Sequence, residues 1–333
     1  MEKICIIKLG ALGDVVRTLP ILVGIKEKFP ESEIFWVTKK DSFEIVDSSP
    51  YVKKVFLVSE NISESFDILY NFDVEHEAVE LAKKINAGRK FGFNSEDNFI
   101  SAFNLSSEYY LNTMFDDELK KTNKKTYQEM IFMAAEIPYK KQHHGISLKK
   151  EHEDYSQKFM NENGIKSKKI IGIHFGAGSK WPSKIWHKEN LKEFIKKAKT
   201  SEFEIILFGG PNEISDIAEL KKHFSELGMK IHANNPKNSS MEFASVADKC
   251  DFMLCSDSFS LHISLALKKP TIGLFFCTSP DEVEGYGYLR KIISPMLYDF
   301  FPEKMDQYDE KLVRSISADE VLSAIIEMQD TNK

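Results

Sequence analysis

KLGALGDVVRTLP, residues 8–20, joins an isoleucine-rich run to an amphipathic one, and the reading of the whole chain follows from it. The run before it, KICIIKL from Lys3, has the shortness and apolar continuity of a strand buried in a parallel sheet. After it, Val15, Val16, Leu19, Leu22, Val23, Ile25 and Phe29 recur at helical spacing, and Pro30 closes the run. Gly10 and Gly13 permit a tight turn between the two and a close backbone approach to a ligand. Asp14 falls just past the carboxyl end of the first strand, where open α/β sheets place their chemistry. Two roles fit it, a catalytic carboxylate and a helix cap. The GxxG spacing is not the dinucleotide fingerprint, which needs GxGxxG.

Outward from this stretch, 333 residues are too many for one doubly wound domain and suit two. Apolar content of 42% and charged content of 29% are ordinary for a globular protein. A net charge of −6 argues against a general nucleic-acid binder. Cys5, Cys250, Cys255 and Cys277 are scattered, with neither zinc-ribbon spacing nor a disulfide framework, which points to a reducing, cytoplasmic compartment. The first apolar run is too short for a signal peptide or a membrane span.

Strand and helix patterns alternate through residue 93: strands at 33–38, 54–58, 66–71 and 89–93, with Asp73 and Glu75 at the carboxyl end of the one at 66–71. Residues 94–139 break the alternation. They carry Tyr109, Tyr110 and Phe115, lysines 120, 121, 124 and 125, and a helix near 126–135, and they fit a substrate-shaping insertion or a packing subdomain equally. His143 and His144 read as a surface pair. The charged, glycine-containing stretch 161–169 is the natural boundary, giving domains 1–164 and 165–333.

The second half repeats the grammar of the first. A strand at 169–175 leads to Gly176, Ala177 and Gly178, then Lys180, Trp181, Pro182 and a helix. Amides at a helix start and one ammonium suit phosphate oxygens, though the P-loop ending is missing; a surface lysine beside a packing tryptophan is the other reading. Glu213, after the strand at 204–208, fits a ribose ligand or a first-turn helix acid. Asn238, before the helix at 240–247, joins the same donor-side set. Asp257, Ser258, Phe259 and Ser260 end a strand and enter a helix, where the amides can be capped or can hold a diphosphate. His262 stands four residues beyond Ser258 and can share its face; no second ligand at metal spacing accompanies it. A last amphipathic helix at 317–328 can pack on either domain.

Four segments in this order resemble glycosyltransferase family 9, the bacterial lipopolysaccharide heptosyltransferases: KLGALGDVVRTLP, HFGAGSKWP at 174–182, FGGPNE at 208–213 and CSDSFSLHISLALKKPTIGLF at 255–275. The resemblance implies an α/β GT-B fold, two Rossmann-like domains with mostly parallel sheets facing across a cleft, an acceptor-binding N-terminal domain and a donor-binding C-terminal one. It implies inverting transfer of a heptose from ADP-L-glycero-D-manno-heptose to a lipopolysaccharide-core or related acceptor, with no cofactor or metal required. Asp14 then matches the general base, Lys180 the diphosphate contact, Glu213 the ribose contact, and Asp257, Ser258 and His262 the phosphate and donor-sugar segment. Gly10, Ala11, Gly13 and Asp73 fall on the acceptor side. A monomer is expected, cytoplasmic, with peripheral contact at the cytoplasmic face of the inner membrane. The chain departs from the family at Phe259, where a glycine is usual and a phenylalanine would crowd or move the phosphates. It departs also at Phe276-Cys277-Thr278 and at Asn71-Phe72-Asp73-Val74. A nucleotide-sugar epimerase or hydrolase, and a non-catalytic nucleotide-sugar binder, share these features and stay open at this point.

Overall fold

The computed structural model describes residues 1–331 apart from Asn98, Ser167, Lys168, Ala177 and Ser179. The chain divides into two units, Met1–Ser147 with Asp281–Glu284, and Leu148–Pro280 with the chain from Gly285 onward.

The first unit is built on β1 (Lys3–Ile7), β2 (Glu33–Thr38), β3 (Val52–Leu57), β4 (Phe66–Asn71), β5 (Ala87–Glu96) and β6 (Phe99–Ala102). Their order across the sheet is β3-β2-β1-β4-β5-β6, parallel except for the β5–β6 hairpin. β1 lies between β2 and β4, with Cys5 paired to Phe35 on one side and Leu69 on the other. Ile4, Cys5, Ile6 and Ile7 are all fully buried, so both faces of the sheet are covered and the strand is apolar without alternation. Cys5, Ile7, Leu9, Val37 and Leu69 share one core cluster.

The helix expected over 15–29 is two helices, Leu12–Thr18 and Pro20–Lys28. Pro20 lacks the N–H that a continuous helix needs and takes the first position of the second one instead. Four residues from far along the chain complete this unit. The Tyr127 N–H donates to the Glu282 carbonyl at 2.9 Å, Lys124 pairs with Asp281 at 2.8 Å, and the Tyr139 hydroxyl donates to Glu284 at 2.9 Å.

The second unit carries β7 (Ile170–His174), β8 (Glu204–Phe208), β9 (His232–Ala233), β10 (Phe252–Ser256), β11 (Thr271–Phe275) and β12 (Leu289–Ile293). All pairs are parallel, in the order β12-β11-β10-β7-β8-β9. Counted within its own unit, each sheet therefore reads 3-2-1-4-5-6. In both, the order reverses between the first strand and the fourth, which opens a crevice at their carboxyl ends.

One boundary differs from the sequence reading, and the packing of the last helix, left open there, is seen. The helix Lys150–Asn163 belongs with the second unit rather than the first, because it packs on the helix Ser240–Asp248. The terminal helix Ala318–Thr331 also stays there, laying Val321 and Ile325 into a core shared with Leu191, Phe194 and Ile272. β12 and the short helices Leu297–Phe300 and Glu310–Arg314 carry no strong sequence period and were not anticipated. All four cysteines are buried and free.

Candidate active site

In the first unit the crevice lies between the ends of β1 and β4. Asp14 stands in the first turn of the helix Leu12–Thr18, whose N-cap is Ala11. Asp14 is therefore not the cap, and its carboxylate keeps 35% of its surface. Arg17, one turn on, reaches back to it at 2.8 Å and lies with its guanidinium 3.8 Å from the centre of the Tyr127 ring. The Tyr127 hydroxyl meets Thr18 Oγ1 at 2.7 Å, and Thr18 Oγ1 also donates to the Asp14 carbonyl at 2.6 Å. Burial raises the Tyr127 phenol above its ordinary pKa, against the pull of Lys8 and Arg17, so it stays neutral.

Asp73 turns inward. Its Oδ2 accepts from the Leu9 N–H at 3.0 Å and the Gly10 N–H at 2.6 Å, and Lys8 Nζ stands 3.3 Å away. Its Oδ1 accepts from the Glu75 N–H at 3.2 Å. Only 4% of the residue is exposed, so this carboxylate clamps the glycine loop onto β4. Glycine at position 10 keeps that clamp uncrowded, since a Cβ there would lie 3.1 Å from both Asp73 Oδ2 and Lys8 Nζ. Burial would lower the Lys8 pKa, but the neighbouring acidic groups, the Asp73 and Asp14 carboxylates among them, favour the charged form and the pKa is raised, so Lys8 is a buried ammonium. Gly13 sits inside the first turn of the helix rather than before it.

In the second unit the equivalent crevice lies between the ends of β7 and β10. Gly178 takes a left-handed backbone, φ +71°, in the turn after β7. Ala177, expected in the same turn, lies outside the described residues. Glu213 folds back over this turn: a Cβ on Gly176 would lie 2.6 Å from Glu213 Oε1, and Oε2 accepts from the Gly210 N–H at 2.8 Å. Its side chain does not cap the helix Ile214–Glu226 that it precedes. Asn238 lies 3.3 Å from the Asn234 side chain, and Asn234 Oδ1 accepts from the Gly209 N–H at 3.1 Å, so the pair braces the turn after β8.

Lys180 is exposed, with its ammonium 4.7 Å from the centre of Trp181. A second lysine, Lys184, lies 4.6 Å from the same ring and is buried. Its Nζ is 3.3 Å from Asp257 Oδ2, while His262 Nε2 is 3.8 Å from Asp257 Oδ1. Ser258 precedes the helix Phe259–Ala266 in extended conformation without capping it, and its Oγ meets Ser260 Oγ at 2.9 Å. Cys277 shares this neighbourhood: burial pushes its thiol up to about 11, with Lys184 pulling down and Asp257 pushing up. The Phe259 ring is turned into an aromatic cluster, 5.3 Å from Phe243, which in turn packs on Phe208 and His174.

Within its own unit, each crevice gathers most of the residues singled out from sequence. Lys8, Arg17, Tyr127 and Lys184 were missed. Lys8 carried a signal, a lone charge ending an apolar strand; Lys184 carried only its spacing from Lys180; Tyr127 comes from 109 residues beyond Thr18 and had none. His144, read as surface, is buried and bonds Ser49 Oγ through Nε2 at 2.8 Å. Among the described residues no helix is long and apolar enough to cross a membrane, and no group of three or more His, Cys, Asp or Glu could hold a metal ion.

The architecture has close counterparts. A family 9 glycosyl transferase from Veillonella parvula DSM 2008 superposes with a TM-score of 0.77 at 16% identity, covering 98% of this chain and 97% of that one. The E. coli heptosyltransferase WaaC, solved with ADP-2-deoxy-2-fluoro heptose, gives 0.65 at 17% identity, covering 98% and 99%. The fold is thus the GT-B fold of two Rossmann-like units, the scaffold of a class of sugar-transferring enzymes. In sequence, lipopolysaccharide heptosyltransferase 1 of Campylobacter coli is 26% identical over 317 residues, 87% of this chain and 89% of the relative. The model of glycosyltransferase family 9 (heptosyltransferase) matches residues 58–309. The chain belongs to that family and is a glycosyltransferase. The family match begins beyond Asp14, so the role of that residue rests on its geometry.

Proposed function

We propose that the protein is an inverting heptosyltransferase that takes heptose from an ADP-activated donor to a lipopolysaccharide-core or related glycan acceptor. The observation that carries this is the half-exposed Asp14 carboxylate at the carboxyl end of β1, oriented by Arg17. The donor reading is supported by the E. coli neighbour that was solved with an ADP-fluoroheptose.

In this reading Asp14 accepts the proton of the acceptor hydroxyl as its oxygen bonds to the anomeric carbon. The bond from that carbon to the diphosphate breaks on the opposite face, so configuration inverts and ADP leaves with the electron pair. The growing charge on the diphosphate is met by the backbone N–H groups at the start of the helix Phe259–Ala266, by the turn at Gly176 and Gly178, and by Lys180. Glu213, lying against Gly176, is placed to accept from ribose hydroxyls. Phe259 is compatible with this because its ring is engaged by Phe243. The reading places the enzyme in the cytoplasm as a monomer, working on an acceptor at the cytoplasmic face of the inner membrane, with side chains and amides supplying the stabilisation that a metal supplies elsewhere.

Turnover of Asp14→Asn tests the base. Asparagine keeps the acceptor atom facing Arg17 but cannot take the proton, so kcat should fall about 10²- to 10⁴-fold with the fold intact. Turnover near wild type would remove Asp14 from the mechanism. The same assay run without acceptor separates transfer from donor hydrolysis or epimerisation, since either would consume donor with no acceptor present.

A further inference from the structure

Lys180 is the lysine that sequence singles out, yet it is exposed. Lys184, four residues on, is 8% exposed and shares the same indole. A buried ammonium needs a reason. A buried ion pair adds little net stability over well-packed apolar groups, because desolvation offsets the attraction. The Lys184–Asp257 pair, at 3.3 Å, therefore is poorly explained as a device for holding the fold.

Its position supplies a different reason. Asp257 directly follows β10 and directly precedes Ser258, which leaves the start of the helix Phe259–Ala266 without a side-chain cap. Those amides are oriented for an anion, but a bare carboxylate beside them would repel one. Lys184 offsets that charge from a position shielded from water, where a contact to a phosphate oxygen is screened less than one made by an exposed lysine. Asp257 in turn fixes where the ammonium sits, and the Trp181 face confines it from the other side.

We infer that Lys184, positioned by Asp257 and Trp181, is a binding residue for the terminal phosphate of the donor's nucleoside diphosphate, ahead of the exposed Lys180. This rests on the nucleotide-sugar reading above. ADP and AMP are the probes, because they differ in the phosphate that Lys184 would meet. Calorimetric titration of the wild type with each should show ADP binding tighter. Lys184→Met should weaken ADP by about tenfold or more and leave AMP nearly unchanged, as expected on losing a charge-assisted contact. Lys184→Arg should retain most of the ADP preference, and Lys180→Met should erode it less than Lys184→Met does.

Lys184→Met takes the lysine from the partly buried Asp257 carboxylate and can fail to fold, so the double variant Lys184→Met/Asp257→Asn is run beside it. Removing a carboxylate by itself favours anion binding, so loss of the ADP preference in the double variant still reports on Lys184. An ADP-to-AMP ratio unchanged in a folded variant lacking Lys184 would overturn the inference and leave the nucleotide-sugar reading standing. Failure of the wild type to bind ADP at all would overturn both.

Discussion

At the scale of single residues, two acids that look alike in sequence end in opposite situations. Asp14 and Asp73 both follow strands at the point where the sheet order reverses. Asp14 keeps part of its carboxylate open, while Asp73 spends its oxygens on the amides of Leu9, Gly10 and Glu75 and on Lys8. Sequence placed both near the site but could not separate them, because the difference is which way each carboxylate turns and what is there to meet it. Asp73→Asn should therefore cost about 3 kcal/mol in urea unfolding, since it strands the buried Lys8 ammonium and weakens two charge-assisted contacts. A midpoint unchanged from wild type would contradict the clamp. The lysines repeat the lesson: the type and spacing pointed to Lys180, but burial, which decides the strength of a charge, belongs to Lys184.

At the scale of elements, the strands were the legible part. The apolar runs at 33–38, 66–71, 204–208 and 271–275 are strands over those same residues. Continuous burial imposes continuous apolarity, so a buried parallel strand announces itself. The split of the first helix was less legible. Its apolar spacing runs unbroken through Pro20, and only the missing proline N–H divides it. β5 hides another constraint. Gly92 has φ +92° and pairs with Asn71, and a Cβ there would come within 1.9 Å of the Asn71 carbonyl oxygen. Gly92→Ala should thus destabilise the β4–β5 pairing by at least about 3 kcal/mol, because the obstacle is backbone and cannot swing aside. Urea unfolding checks it, and a variant as stable as wild type would mean that the two strands part easily there.

At the scale of the molecule, each unit carries a histidine that burial holds back strongly from protonation. Burial lowers the pKa of His144 in the first unit and of His174 in the second from the ordinary 6.5 to about 4. Each is neutral when folded and gains a proton more readily when unfolded, so stability is full above about pH 6.5 and falls as pH drops toward 4. The loss amounts to at most about 3 kcal/mol for each histidine. Urea midpoints should fall between pH 7 and pH 4.5, and His144→Gln should flatten the slope for the first unit; a flat wild-type profile would contradict both assignments. The sequence reads His144 as a surface residue and gives His174 no role beyond opening the segment at 174–182, because burial is not visible there. The excursion of Asp281–Glu284 into the first unit bears on something else, the order in which the chain is made. A ribosome that has released residue 147 has not yet supplied the carbonyl that receives the Tyr127 N–H, nor the acids that meet Lys124 and Tyr139. The first unit to emerge is the one that must wait, unfinished at that edge, until most of the second has been synthesised.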